Sequence, residues 1–229
     1  MTASAQSAGA RYFRLLHDLL DTVEKTEAEP IDGAARLIAD AIATDHRIVL
    51  LGTGHSYALA LELCGRAGGF TALEAIHDAA LAMSEGLSKS TATERLGGYG
   101  TILMDEAALA AGDVLLVISN SGRNAVPVQA LLAARERGAG TIALTSVAHS
   151  QSMPARPPSP GRLFEVADVV LDNHGTPGDA GITVPGAVNA LGPTSTVLGA
   201  AILQAVALRA AELLVEAGHT PEVYRSANV

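Results

Sequence analysis

The chain is nearly without aromatic side chains. They make up 3% of its 229 residues, and there is no Trp. A core of ordinary size must therefore be packed with Ala, Leu, Val and Gly, which suits helices lying close on a sheet. There is one cysteine, Cys64, so an intrachain disulfide is excluded and a reducing cytoplasm is the expected location. Basic residues are also few. Fifteen Lys and Arg stand against 24 Asp and Glu, a net charge of −9. That balance argues against nucleic acid or an anionic membrane as partner, because both call for a basic face. Any phosphate bound here must be held by local dipoles. The opening MTASAQSAGA lacks the charged start and apolar centre of a signal peptide. No run of 18 apolar residues occurs; 195–208 comes nearest, and Thr196, Gly199, Gln204 and Arg209 interrupt or end it.

What is present is a regular alternation of strand and helix patterns. Apolar positions at helical spacing mark helices over 11–28 and from Asp32, a good N-cap, to Thr44. Arg47–Leu51 reads as a buried strand, 57–67 as a helix ended by Gly68-Gly69, and Thr71–Ile76 as a short strand. Thr91-Ala-Thr-Glu94 has the form of a capping box, predicting a helix through Leu103 that Gly97-Gly98 weakens. Asp113–Ile118 is a strong strand, followed by a helix from Ala125 to Arg137, a strand over Thr141–Thr145 and another over Asp168–Asp172. Residues 147–162, with four prolines, and 173–192, rich in glycine, read as loops. Pro193 is expected to open a long helix to Ala217, with Gly218 as its stop. With no internal repeat and no linker, the whole of 1–229 reads as one domain, with 1–46 as an N-terminal helical segment. The expected architecture is an α/β, doubly wound, five-stranded parallel sheet of flavodoxin-like order 2-1-3-4-5, with helices on both faces.

Two loops carry the functional signal. Gly52-Thr53-Gly54-His55-Ser56 follows the first strand, and Ser119-Asn120-Ser121-Gly122-Arg123-Asn124 follows the third. Each precedes a helix, where backbone N–H groups and hydroxyls favour an anion. In order 2-1-3-4-5, strands one and three are neighbours whose connections leave in opposite directions, and ligands bind in the crevice between them. The topology thus brings both loops to a single phosphate. Taken singly, each loop is equally an ordinary tight turn rich in small residues.

These loops, with ALTS at 143–146 and GPTST at 192–196, resemble the sugar isomerase (SIS) domain family over about residues 30–217. The nearest resemblance is to a subgroup beside phosphoheptose isomerases and N-acetylmuramic acid 6-phosphate etherases. The resemblance implies a bound phosphosugar. Ser56, Ser119 and Ser121 would donate hydroxyls to the phosphate, with Gly54, His55, Asn120, Gly122, Ser146 and Thr194 around it. SIS proteins place Thr where this chain has Asn124, whose amide can also donate. Arg123 reads either as an added charge or as a solvated residue at a helix start.

For chemistry, a partly desolvated carboxylate is needed to take a proton beside a carbonyl. Glu62 is a lone acid in YALALELCGRAGG, and reads equally as the i+4 partner of Arg66. Glu85, in Ser84-Glu85-Gly86, matches a catalytic Glu-Gly of the etherases. His77, at the end of the second strand, is an acid, a base or a structural hydrogen-bonder. His55 and His174 are further histidines near the expected crevice. No metal site is expected, since Cys64, His55 and Glu62 do not fall at paired ligand spacing, and no cofactor is implied. The resulting expectation is a lyase or dehydratase acting on an amino-sugar 6-phosphate through Glu62, Glu85 and His77. Aldose–ketose isomerisation is the runner-up, and a non-catalytic phosphosugar sensor or a purely structural fold are the alternatives. The helix 193–217 is apolar nearly all round, which predicts a homodimer, or a tetramer, with a shared active site.

Overall fold

The computed structural model describes residues 6–228. Residues 1–5 of the stretch read for a leader, and Val229, lie outside the described residues. Five parallel strands form the central sheet: β1 (Ile48–Gly52), β2 (Leu73–Ala75), β3 (Val114–Ile118), β4 (Gly140–Thr145) and β5 (Val169–Asp172). Their order is β2-β1-β3-β4-β5, as expected. β1 and β3 are buried along their whole length, which explains their unbroken apolar sequences.

Alternation along these strands divides the core into two layers. Ile48, Leu50, Val114, Leu116 and Ile118 face α2 (Ala28–Ala43), α3 (Ser56–Leu63) and α9 (Ser195–Glu216). Val49, Leu51, Leu115 and Val117 face α5 (Tyr99–Ala107), α6 (Ala125–Glu136) and the single turn α8 (Leu163–Val166). α9 has the length and apolar character of a membrane-crossing helix. Leu198, Ile202, Leu203, Val206, Ala210 and Leu214 bury one side of it in the first layer. Its other side, with Val197, Leu208 and Val215, stays exposed in the single chain.

Several boundaries depart from the sequence reading. α1 (Ala8–Thr26) starts earlier, capped by the Ser7 hydroxyl, and α2 starts at Ala28. Asp32 is inside α2, where it pairs with Arg36 and Arg209 instead of capping. α3 stops at Leu63, because Cys64 is extended and Gly65 takes a left-handed φ of +65°. The helix expected over 91–103 is two helices, α4 (Leu87–Thr93) and α5, separated by a turn. Gly98, at φ +84°, breaks it and donates its N–H to Gln129 Oε1 at 2.8 Å.

Both expected loops hold short elements. Ser146 caps α7 (Val147–Gln151) by accepting from His149 N at 3.1 Å, and buried Leu163 anchors α8; the prolines lie between the two. Within 173–192, β6 (Ala180–Ile182) pairs antiparallel with β7 (Leu191–Pro193). α1 supports this hairpin: Tyr12 donates its hydroxyl to Pro193 O at 2.7 Å, and Arg11 donates to Thr183 O at 2.9 Å. Pro193 therefore ends β7, and α9 opens two residues later, at Ser195.

Candidate functional site

A cleft of about 570 Å³ opens at the carboxyl ends of β1 and β3. Both signal loops line it, through Thr53, Gly54, His55 and Ser56 on one side and Ser119, Asn120 and Ser121 on the other. Met83, Leu87, Thr91 and Glu94 form a third wall, and the β6–β7 hairpin with the start of α9 forms the fourth.

The loop backbones have the form a bound anion requires. Gly52 lies so close to the Ser56 carbonyl that a Cβ would collide with it. Gly122 combines φ +58° with a neighbour, Thr145 Oγ1, that a Cβ would approach to 2.7 Å. Gly122 also donates its N–H to Ser119 Oγ at 3.3 Å, and this contact holds the turn. Among the described residues, the N–H groups of His55, Asn120 and Ser121 have no protein partner. Gly122→Ala is expected to cost about 1–3 kcal/mol from the strained conformation alone, and to weaken anion binding at the same time. A melting curve read with and without phosphate checks both; an unaltered melting temperature would contradict the tight turn.

The expected binding residues divide into two groups. Gly54, His55, Ser56, Ser119, Asn120 and Ser121 line the cleft. Gly122, Asn124, Ser146 and Thr194 lie behind it. Buried Ser146 donates to Gly175 O at 2.5 Å, and Asn124 donates its amide to Glu94 Oε1 at 2.8 Å. Thr194 is buried just before α9 with its hydroxyl unpartnered.

None of the three residues expected to do chemistry lines the cleft of this chain. Glu62 of α3, partly buried, pairs with exposed Arg66. Glu85 is half exposed and lies 3.8 Å from Lys89. His77 Nδ1 shares a hydrogen bond with the Tyr57 hydroxyl at 2.9 Å. His174 is likewise elsewhere: its Nε2 lies 2.8 Å from Glu27 Oε1, at the junction of α1 and α2.

Glu94 stands in the cleft where Glu62 or Glu85 was expected. It closes α4 with its carboxylate between the two loops. Thr53 donates its hydroxyl to Oε2 at 2.9 Å, and Asn124 donates its amide to Oε1 at 2.8 Å. Burial raises its pKa, while the Thr53 hydrogen bond and the charges of Arg95 and Arg156 draw it partly back. His149, in α7, also lines the cleft, and Asn120 Nδ2 lies 3.4 Å from its Nδ1. Burial lowers the His149 pKa; Asp179 opposes this and Arg123 adds to it, so the ring is neutral around pH 7. Asp179, at φ +65°, caps α9: Oδ1 accepts from Thr194 N at 3.1 Å and Ser195 N at 2.9 Å, and Oδ2 from Ser195 Oγ at 2.6 Å.

The sequence reading had Glu94 in view only as a capping-box acid and missed His149 and Asp179. Ser146, three residues before His149 at the end of a strand, is the local signal for the turn that presents that histidine. Among the described residues, no three of His, Cys, Asp and Glu converge to hold a metal.

Comparison with known proteins agrees with this arrangement. The SIS domain family matches residues 11–146. A UPF0309 protein of Geobacillus thermodenitrificans is 38% identical over 219 residues, covering 96% of this chain and 88% of that protein. Two solved structures share the fold. One is a phosphoheptose isomerase from Francisella tularensis, with TM-score 0.56 and 19% identity, covering 93% of this chain and 100% of that one. The other is the Vibrio vulnificus NanR protein complexed with ManNAc-6P, with TM-score 0.53 and 18% identity, covering 93% of this chain and 64% of that one.

Proposed function

Since the chain belongs to the SIS domain family, we propose that it binds a sugar phosphate bearing a free 2-hydroxyl in this cleft and interconverts its aldose and ketose forms, with Glu94 as the base. The observation that carries this reading is a desolvated carboxylate, held by Thr53 and Asn124, between two loops shaped for a phosphate. Phosphosugar binding is supported by the ManNAc-6P bound to the fold neighbour NanR, and the isomerase chemistry by the phosphoheptose isomerase with the same fold.

In the proposed reaction the phosphate sits on Ser56, Ser119, Ser121 and the free amides of the two loops. Each hydrogen bond to the charged group contributes about 1.5–3 kcal/mol. Glu94 takes the proton from C2 of the opened aldose, the carbonyl oxygen gains a proton, and an enediol forms. The 2-hydroxyl then loses its proton while Glu94 returns one to C1. A single carboxylate can serve both carbons, and neutral His149 can accept and donate the hydroxyl proton. Elimination, the leading expectation from the sequence, needs in addition a protonated acid at the departing oxygen. Glu62, Glu85 and His77 do not supply one within this chain's cleft, which is why isomerisation is preferred.

Incubating the protein in D2O with aldose phosphates that carry a 2-hydroxyl, such as hexose 6-phosphates, and beside them with hexosamine 6-phosphates, which lack it, tests this. Isomerisation gives a ketose phosphate and deuterium at C2 of the recovered aldose. Release of water or of a substituent from C3 would show elimination instead, and binding without exchange would show a sensor.

The exposed stripe Val197, Leu208 and Val215 on α9 supports a second copy of the chain as partner. Sedimentation is expected to give twice the mass of one chain at micromolar concentration; a monomer would contradict the pairing. Free Cys64 suits a cytoplasmic location.

A further inference from the structure

Three of the arginines that make no ion pair among the described residues stand together, in a chain that has acids to spare. Arg95 follows Glu94 at the end of α4, Arg123 precedes the Asn124 cap of α6, and Arg156 lies in the proline-bearing segment between α7 and α8. The backbone brings these segments together. Arg156 N–H donates to Arg123 O at 3.0 Å, and Pro158 lies so close to Gly97 that an added Cβ would meet its Cγ at 2.9 Å.

Seven other arginines sit in ion pairs. Among the described residues, none of these three does. The Nε of Arg123 and the Nε of Arg156 are both buried with no hydrogen-bond partner. Buried charged donors are rarely left in this state, because losing water without a replacement is unfavourable. Burial lowers the Arg123 pKa, and the like charges of Arg156 and Arg95 lower it further. The acid nearest in sequence, Glu94, has its two oxygens engaged by Thr53 and Asn124. The fold has thus gathered three guanidiniums in one place, and the one carboxylate whose charge reaches them, Glu94, makes an ion pair with none of them.

We infer that Arg95, Arg123 and Arg156 form an oxyanion site for a phosphate or carboxylate group, separate from the serine loops and beyond the function proposed above. The guanidinium fork suits such a group because its N–H donors match two oxygens at once. The site adjoins the cleft. Arg123 is two residues from Ser121, and its charge acts on cleft-lining His149. The anion is therefore either a free ion or a second acidic group on the ligand held by the loops.

Inorganic phosphate, titrated into the 15N-labelled chain at ionic strength fixed with chloride, tests this. The Nε–H signals of the three arginines are the readout, assigned with Arg95→Lys, Arg123→Lys and Arg156→Lys. The Arg123 and Arg156 signals are expected to shift to saturation. They should do so equally in the Ser119→Ala/Ser121→Ala chain, and the Arg156 signal should shift at least tenfold more weakly in the Arg123→Gln chain. Signals that do not move, or that chloride moves as well, overturn the site. A second titration with 6-phosphogluconate, which carries a phosphate and a carboxylate, distinguishes the sources. One shared isotherm for loop amides and arginines assigns both anions to one ligand, and two isotherms assign a separate ion; either supports the site. Arginine signals that respond while the loop amides stay still would refute the proposed function and leave this inference standing.

Discussion

Glu94→Gln is expected to lower turnover of the sugar phosphate by about 10²–10⁴-fold while changing its dissociation constant by less than about threefold. Glutamine keeps the size of the side chain and can still hydrogen-bond to Thr53 and Asn124, so the loops stay in place. What it loses is the ability to take a proton from carbon. The pH dependence follows from the direction of the shift. Burial holds the Glu94 carboxyl above the ordinary glutamate value, and only the ionised form is a base. In the native protein kcat/KM should therefore rise with pH through this raised pKa, at higher pH than an ordinary glutamate would set. A bound phosphate dianion would raise it further, so the limb in kcat should lie at higher pH than that in kcat/KM. A full rate in the Gln variant would remove Glu94 from the chemistry. Loss of rate together with loss of binding would make it a clasp between the two loops and nothing more.

The second large effect concerns the grip on phosphate. Ser121→Asp replaces a hydroxyl donor with a carboxylate at the mouth of the second loop. The lost hydrogen bond to a charged group is worth about 1.5–3 kcal/mol. Repulsion between unit charges about 4 Å apart adds roughly 1–4 kcal/mol between bulk water and a protein surface. Phosphosugar affinity should fall by more than about 10²-fold, against about 10–100-fold for Ser121→Ala. Calorimetry on both variants checks the order. Equal losses would show that the hydroxyl matters but that no negative group sits beside it; no loss in either would put the phosphate elsewhere.

The sequence was most informative where burial is complete and local. Ile48–Leu51 and Val114–Ile118 are unbroken apolar runs because helices cover both faces of the central strands, and their order follows from the alternation of elements. The phosphate loops were legible because their glycines and serines answer local demands of a strand-to-helix turn. The catalytic candidates were not, because convergence in space depends on long-range packing. Glu94 reaches the cleft only because Gly97-Gly98 ends the helical segment there and turns the chain into α5. Glu62 has an identical chemical character, but α3 points it outward to Arg66. His149 and Asp179 depend on a turn and a hairpin that proline and glycine content disguised as irregular loop. The hairpin is ordered by α1, more than 160 residues distant in sequence, through Tyr12 and Arg11.

The central claim is that one phosphate is held between the turns carrying Ser56 and Ser121. The most direct measurement is an NMR titration of the 15N-labelled chain with a hexose 6-phosphate, following the backbone amides. The account predicts saturable shifts at 54–56 and 119–122, with the rest of the sheet undisturbed and no response to the unphosphorylated sugar. Shifts in only one of the two loops, or none in either, would contradict it.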